Sequence, residues 1–514
     1  MPVSLTRIEH LHTFATHSCP RMRSVCKDEP GKRSDPDWSF APVPGSAILN
    51  IGFPRNMARK AVALACATAL ALPVFSFPAM AQGRSLPLVR DAETEHLLKD
   101  YATPIFKAAG ISNSEPEIIL VNDKSFNAFV PDSRRMFINI GVIMESETPG
   151  EVIGVIAHET GHIAGRHLVR LRAAAANAQI ISVIGMILGA GAAAAGAAAG
   201  SGEVASGGGA VIMGSGSVGQ RSFLSYQRGE EAAADRAALK YLSATGQSPR
   251  GLLKTFERMS EQQMFTRKYA DPYAQSHPMA QDRYNSLATD AQKSKYFNQP
   301  EDYVLQYRHD MVRAKLFAFT SHPSATLRAY PRSDKSPPAQ YARAIAAMKS
   351  RGKGAIKEID ALIRTQPNNP YYYELKGQAL IEGGDPKGAI APFRKALSFK
   401  PTEPQFLTWL GYALVASNDK SNLPEAERVL KEAIQRDQNS GVAYSQLAIA
   451  HGRQGERAEA DLATAKGLMV SGDFQAAKRY AARAQKSLKR GTPAWLQADD
   501  IVAYNPPNLP NNGR

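Results

Sequence analysis

His158-Glu159-Thr160-Gly161-His162 decides the reading of this 514-residue chain. On a helix, positions i and i+4 share a face, so both imidazoles can reach one zinc ion. Glu159 then stands beside the metal's water, where a general base belongs. The plain alternative is two core histidines with a surface glutamate. Upstream, Thr148-Pro149-Gly150-Glu151 has the form of a capping box with proline in the first turn, so a helix is expected to run through Val152–Arg172. Before it, Ile118–Val121, Ala128–Val130 and Met136–Ile140 read as short strands, separated by turns such as Pro131-Asp132-Ser133. Residues 86–112 read as an amphipathic helix.

Catalytic zinc sites take three protein ligands and keep one position open, so a third donor is needed. Glu231 heads Glu231-Ala232-Ala233-Ala234-Asp235, whose carboxylates share a helical face. The first can bind the metal while Asp235 orients a ligand imidazole. Glu230 is the fallback, and an acidic first helical turn is the structural alternative. His167 competes through an H-E-x-x-H-x-x-G-x-x-H-like run, but it falls one residue early, with Leu168 at the expected place. On a continuous helix it would lie about 140° around from His162.

The start of the chain is set aside. Met57-Ala58-Arg59-Lys60, the apolar run Ala61–Phe77 and Ala79-Met80-Ala81 have the form of a secretory signal, with cleavage expected after Ala81. Residues 1–56 read as an upstream over-extension; a short membrane anchor at 61–77 is the alternative. The three cysteines, Cys19, Cys26 and Cys66, all precede the cleavage point, so the zinc ligands must be histidine and carboxylate. The net charge is +15, yet no nucleic-acid motif or aromatic-interleaved basic patch accompanies it, and no nucleic acid is expected as a partner.

Residues 173–220 are dominated by alanine and glycine and are expected to form a mobile flap or a membrane-contacting segment. Helical patterning resumes at Glu230–Leu242. After the break at Pro331–Pro338, small residues recur: Gly377, Gly411 and Ala448 at intervals of 34 and 37, and Ala389, Ala426 and Ala460 at 37 and 34. A three-residue insertion at Lys420–Asn422 accounts for both irregularities, leaving the 34-residue period of tetratricopeptide (TPR) helix pairs. The expected fold class is α+β, mainly helical: a gluzincin-like zinc peptidase domain with a small β-sheet, followed by an all-α TPR solenoid. The expected boundaries are 57–81 signal peptide, 82–295 metallopeptidase domain, 296–338 connector and linker, 339–490 repeats and 491–514 tail.

His158–His162, then Arg228-Gly229-Glu230-Glu231-Ala232-Ala233-Ala234-Asp235, then TPR repeats, resembles the periplasmic BepA group of metallopeptidases, relatives of the HtpX and CAAX-prenyl endopeptidases. Asn127-Ala128-Phe129 also matches that group, whereas Pro131–Arg135 replaces its usual glycine-containing turn. The resemblance implies one Zn2+ per chain on His158, His162 and Glu231, with Glu159 catalytic. It implies that His277, in Ser276-His277-Pro278, is an inhibitory fourth ligand and that Arg283 supports catalysis. Ser321-His322-Pro323 with Arg328 repeats that spacing and is a second, weaker candidate. Substrate is expected to add as a strand along Asn127, Ala128 and Phe129. Implied partners are unfolded or misassembled proteins and, through the TPR repeats, outer-membrane protein assembly machinery, with peripheral membrane contact. The expected setting is the periplasm. A non-proteolytic TPR chaperone or adaptor with a silent zinc domain is the alternative.

Overall fold

The computed structural model describes residues 87–112, 115–177, 179, 202–265, 281–350 and 354–505. The signal-like segment and His277 lie outside them. The central helix, α3 (Pro149–Ala164), begins as its sequence dictates: Thr148 is extended, and its side chain and that of Glu151 complete a capping box. All but the last of its residues are buried, because it runs through the middle of the first domain.

Around α3 lies a four-stranded sheet of β1 (Leu88–Val89), β2 (Glu117–Val121), β3 (Ala128–Phe129) and β4 (Arg135–Asn139), in the order β1-β2-β4-β3. β2 and β4 are parallel, and the outer strands are antiparallel to their neighbours. Residues 86–112 are therefore not one helix: β1 precedes α1 (Ala92–Ala108), whose turn begins at the Asp91 cap. Leu97, Leu98, Tyr101 and Ile105 of α1 join Val152, Val155 and Ile156 of α3 in one core.

Three further expectations are corrected. α3 stops at Gly165, Arg166 takes a left-handed φ of 53°, and residues 167–177 form a separate helical run, so no single helix spans 152–172. Residues 202–220 belong to the long helix α4 (Gly202–Ala244). Glu230 and Glu231 therefore lie deep within a helix, which removes the first-turn explanation for them. The supposed tail contains the helix Pro493–Ala503, whose Ala498 and Ile501 are buried.

The second half is a solenoid of antiparallel helix pairs joined by short turns, as a TPR domain requires. Pro370–Glu382 pairs with Pro386–Phe399, Pro404–Ala416 with Leu423–Arg436, and Gly441–Gln454 with Arg457–Ser471. A side chain on Gly377 would meet the Phe393 ring at 2.4 Å, and one on Gly411 would meet Leu430 at 2.4 Å, so the period of small residues is a period of close helix contacts. The insertion Lys420–Asn422 is a single 3-10 turn.

The halves meet through polar contacts at the start of the first domain. Arg90 reaches Asp437 at 2.5 Å and His96 reaches Glu403 at 2.9 Å, while Ala92 packs with Ala396 and Phe406. Beneath them Lys315, on the helix Tyr303–Thr320, is buried among Asp91 at 2.5 Å, Glu93 at 3.2 Å and Glu374 at 3.9 Å. Tyr341 donates to Glu93 at 2.9 Å. Burial and the neighbouring carboxylates push Glu374 up to about 8, whereas Lys315 outweighs burial at Asp91 and holds it below its ordinary value. Among the described residues, no helix is long and apolar enough to cross a membrane.

Candidate metal centre

α3 presents His158 and His162 one turn apart, and α4 packs across them to bring Glu231 opposite. The approach is close because Gly161 lies at the crossing: a Cβ there would stand 2.9 Å from the Ala234 carbonyl oxygen. His158 Nε2 and His162 Nε2 are 3.1 Å apart, and Glu231 carboxylate oxygens lie 3.4 Å from the first and 3.5 Å from the second. A tetrahedral zinc ion with ligands at 2.0–2.1 Å needs donors about 3.3 Å apart. The three separations bracket that value.

The electrostatics point the same way. His158, Glu159, Glu231 and Asp235 are all buried. Asp235 lies one turn beyond Glu231 and places an oxygen 2.9 Å from His158 Nδ1, leaving Nε2 for the ligand position. Burial lowers the His158 pKa, but Asp235 and Glu231 outweigh it and push the imidazole up to about 9. Two carboxylates in a dry pocket thus draw positive charge to this point, which suits a divalent cation. The Phe256 ring meets the His158 ring edge-on at 6.0 Å and closes the apolar side.

His167 is not on the far side of the helix. The turn at Gly165–Arg166 swings it back, so that its Nδ1 lies 3.0 Å from His162 Nδ1, away from the nitrogen that faces Glu231. Glu230 meets His167 Nε2 at 3.3 Å and is itself held by Arg170. The fallback carboxylate thus faces His167 rather than joining the donor cluster. Arg170 had no motif to mark it, and the role of His167 depends on a break that helical periodicity does not reveal.

β3, carrying Ala128 and Phe129, forms the sheet edge beside α3, with Phe129 stacked on Phe137 at 5.1 Å. Asn127 precedes it and accepts a hydrogen bond from the Asn139 amide at 2.9 Å. Arg283 belongs to the helix Gln281–Gln292, where the backbone alone is described. His322 is an exposed helix cap: Ser324 donates its backbone N–H to Nδ1. That is a local capping role for the second His-Pro segment.

A buried pair of helix-borne imidazoles facing a carboxylate, beside a glutamate on the same helix and the edge strand β3, is a donor set that could hold a metal ion. Residues 89–291 match the model of peptidase family M48. Over 423 residues it is 21% identical to the beta-barrel assembly-enhancing protease of Escherichia coli, covering 79% of this chain and 82% of that one. The protein of that name from Yersinia pestis is 21% identical over 421 residues, with the same coverages. A Vibrio cholerae relative is 23% identical over 300 residues, which cover 56% of this chain and 59% of the relative. Among solved structures, a crystal structure of MamA matches 29% of this chain and 82% of its own, at 23% identity and a TM-score of 0.24. A second, MamA MSR-1 C2, matches 32% and 95%, at 17% identity and a TM-score of 0.27.

Proposed function

We propose that this protein is a zinc-dependent endopeptidase of the periplasm that degrades misfolded or unassembled outer-membrane proteins and assists their assembly. The observation that carries the reading is the convergence of His158, His162 and Glu231 at separations suited to one zinc ion. The names of the relatives supply the beta-barrel assembly context, and the TPR solenoid is the natural surface for recognising substrates or assembly machinery.

When bound, zinc supplies Lewis acidity that acidifies a water and polarises a peptide carbonyl. Glu159 accepts the proton released as that water adds to the carbonyl carbon, then delivers it to the departing amine. An extended substrate pairs with the β3 edge at Ala128–Phe129, which gives affinity through backbone hydrogen bonds with little sequence preference. In this reading Arg283 steadies the developing oxyanion, and His277 is a removable fourth ligand that holds the resting enzyme silent. Those two assignments rest on sequence order and on the family resemblance.

The test is purification without chelator, followed by metal analysis and casein cleavage for the wild type, Glu159→Gln and His277→Ala. One zinc per chain is expected in the wild type and in Glu159→Gln, with cleavage lost in Glu159→Gln and raised in His277→Ala. A wild-type protein without metal overturns the reading. Zinc without cleavage in any variant favours a chaperone or adaptor instead.

A further inference from the structure

The second nitrogen of His162 is occupied in a way that the peptidase chemistry does not require. We infer that His167 is a positioning residue for the metal centre: together with Glu230 and Arg170 it fixes the tautomer and orientation of His162. The inference rests on the reading of His158, His162 and Glu231 as metal ligands.

The argument is an account of hydrogens. Two imidazole nitrogens 3.0 Å apart share one hydrogen, one ring donating and the other accepting. His162 can offer a lone pair at Nε2 only if its hydrogen is on Nδ1, so His162 must donate and His167 Nδ1 must accept. The His167 hydrogen is then on Nε2, where Glu230 Oε2 waits at 3.3 Å as an acceptor. Arg170 grips the same carboxylate with two N–H groups, at 2.6 and 3.2 Å. Every group in the row then has one compatible role. The opposite assignment fails at both ends. It aims an N–H at the ligand position and sets a lone pair of His167 against a carboxylate oxygen.

Backbone and packing enforce the arrangement. Arg166 takes its left-handed φ at the turn that returns His167. A Cβ at Gly165 would lie 2.0 Å from His167 Nε2, so the ring occupies the space a side chain would need. The two ligand histidines thus have parallel supports, one directly from Asp235 and the other from Glu230 through a second imidazole.

The experiment uses the full chain and compares the wild type, His167→Phe, His167→Gln, Arg170→Met and His162→Ala. Zinc affinity is measured by chelator competition, the visible spectrum is recorded on the cobalt(II) form, and folding is checked by circular dichroism. His167→Phe should keep one metal per chain, bind it about 10- to 100-fold more weakly and change the cobalt spectrum. His167→Gln, which keeps an acceptor oxygen and a donor nitrogen, should recover most of the affinity. Arg170→Met changes a half-exposed surface residue and should weaken binding in the same direction by less. Folded His167→Phe with wild-type affinity and spectrum overturns the inference, as does wild-type behaviour in Arg170→Met should His167→Phe fail to fold. Loss of stoichiometric metal in His167→Phe, matching His162→Ala, also overturns it by making His167 a ligand. A wild type that binds no metal removes the underlying metal-centre reading as well, and so is distinguishable from failure of the relay alone.

Discussion

Gly161→Ala tests whether the crossing of α3 and α4 sets the metal geometry. The added Cβ would stand 2.9 Å from the Ala234 carbonyl oxygen, 3.0 Å from Ala234 Cα and 3.3 Å from Ala237 Cβ. Two of these atoms are backbone, so the helices themselves must part, by about 0.5 Å to restore an ordinary carbon contact. Overpacking of this kind costs about 1–3 kcal/mol. Alanine recovers about 0.8–1.0 kcal/mol of helix propensity over glycine. The net loss of stability is therefore small, about 0–2 kcal/mol. The effect on the site is larger in proportion. Glu231 lies one turn before Ala234 on the helix that is pushed away, and functional geometry tolerates only about 0.5 Å. Chelator competition should show zinc affinity reduced about tenfold or more, with a melting temperature nearly unchanged in the metal-free protein. Unchanged affinity with a raised melting temperature, as helix propensity alone would give, would refute the reasoning.

Other outcomes follow from the contact between the halves. Lys315→Met leaves three buried carboxylates without their cation and should cost about 3–5 kcal/mol in urea unfolding, part of it restored by adding Glu374→Gln. Arg90→Ala, which removes the cation shared by Asp437 and Glu95, should cost less, about 1–3 kcal/mol by the same measurement. Glu374 gives a pH signature. Burial raises its pKa from the ordinary 4.5 to about 8 in the folded state, so between these the folded state holds a proton that the unfolded state has released. Its contribution to stability must fall as pH rises through that window, by up to about 1.4 kcal/mol per pH unit. Glu374→Gln should flatten this part of the profile, and an unchanged slope in urea titrations at several pH values would count against it.

The parts of the fold that were legible are those fixed locally. The capping box at Thr148–Glu151 marked the start of α3, and the small-residue period marked the solenoid because each small side chain answers to a helix one turn away in sequence. The fold class followed from these two. The break after Ala164 was not legible. A wheel drawn over a continuous helix put His167 on the wrong side, and only the packing of its ring over Gly165 brings it to His162. Glycine content did not announce the helix over residues 202–220, since propensity is weak against the length of a helix anchored further along. The partners of Arg90 and His96 lie 347 and 275 positions away, at Asp437 and Tyr371, and no local pattern reports such pairings.

That distance has a consequence in time. A ribosome adds about 5–20 residues per second, so Arg90 emerges roughly 20–70 s before Asp437 exists. Within that interval the partners of Asp91, Glu93 and Glu95 emerge in turn, Lys315 first, then Tyr341, Glu374 and Gln405. The first stretch of the first domain is thus completed only after much of the helical half has followed it off the ribosome.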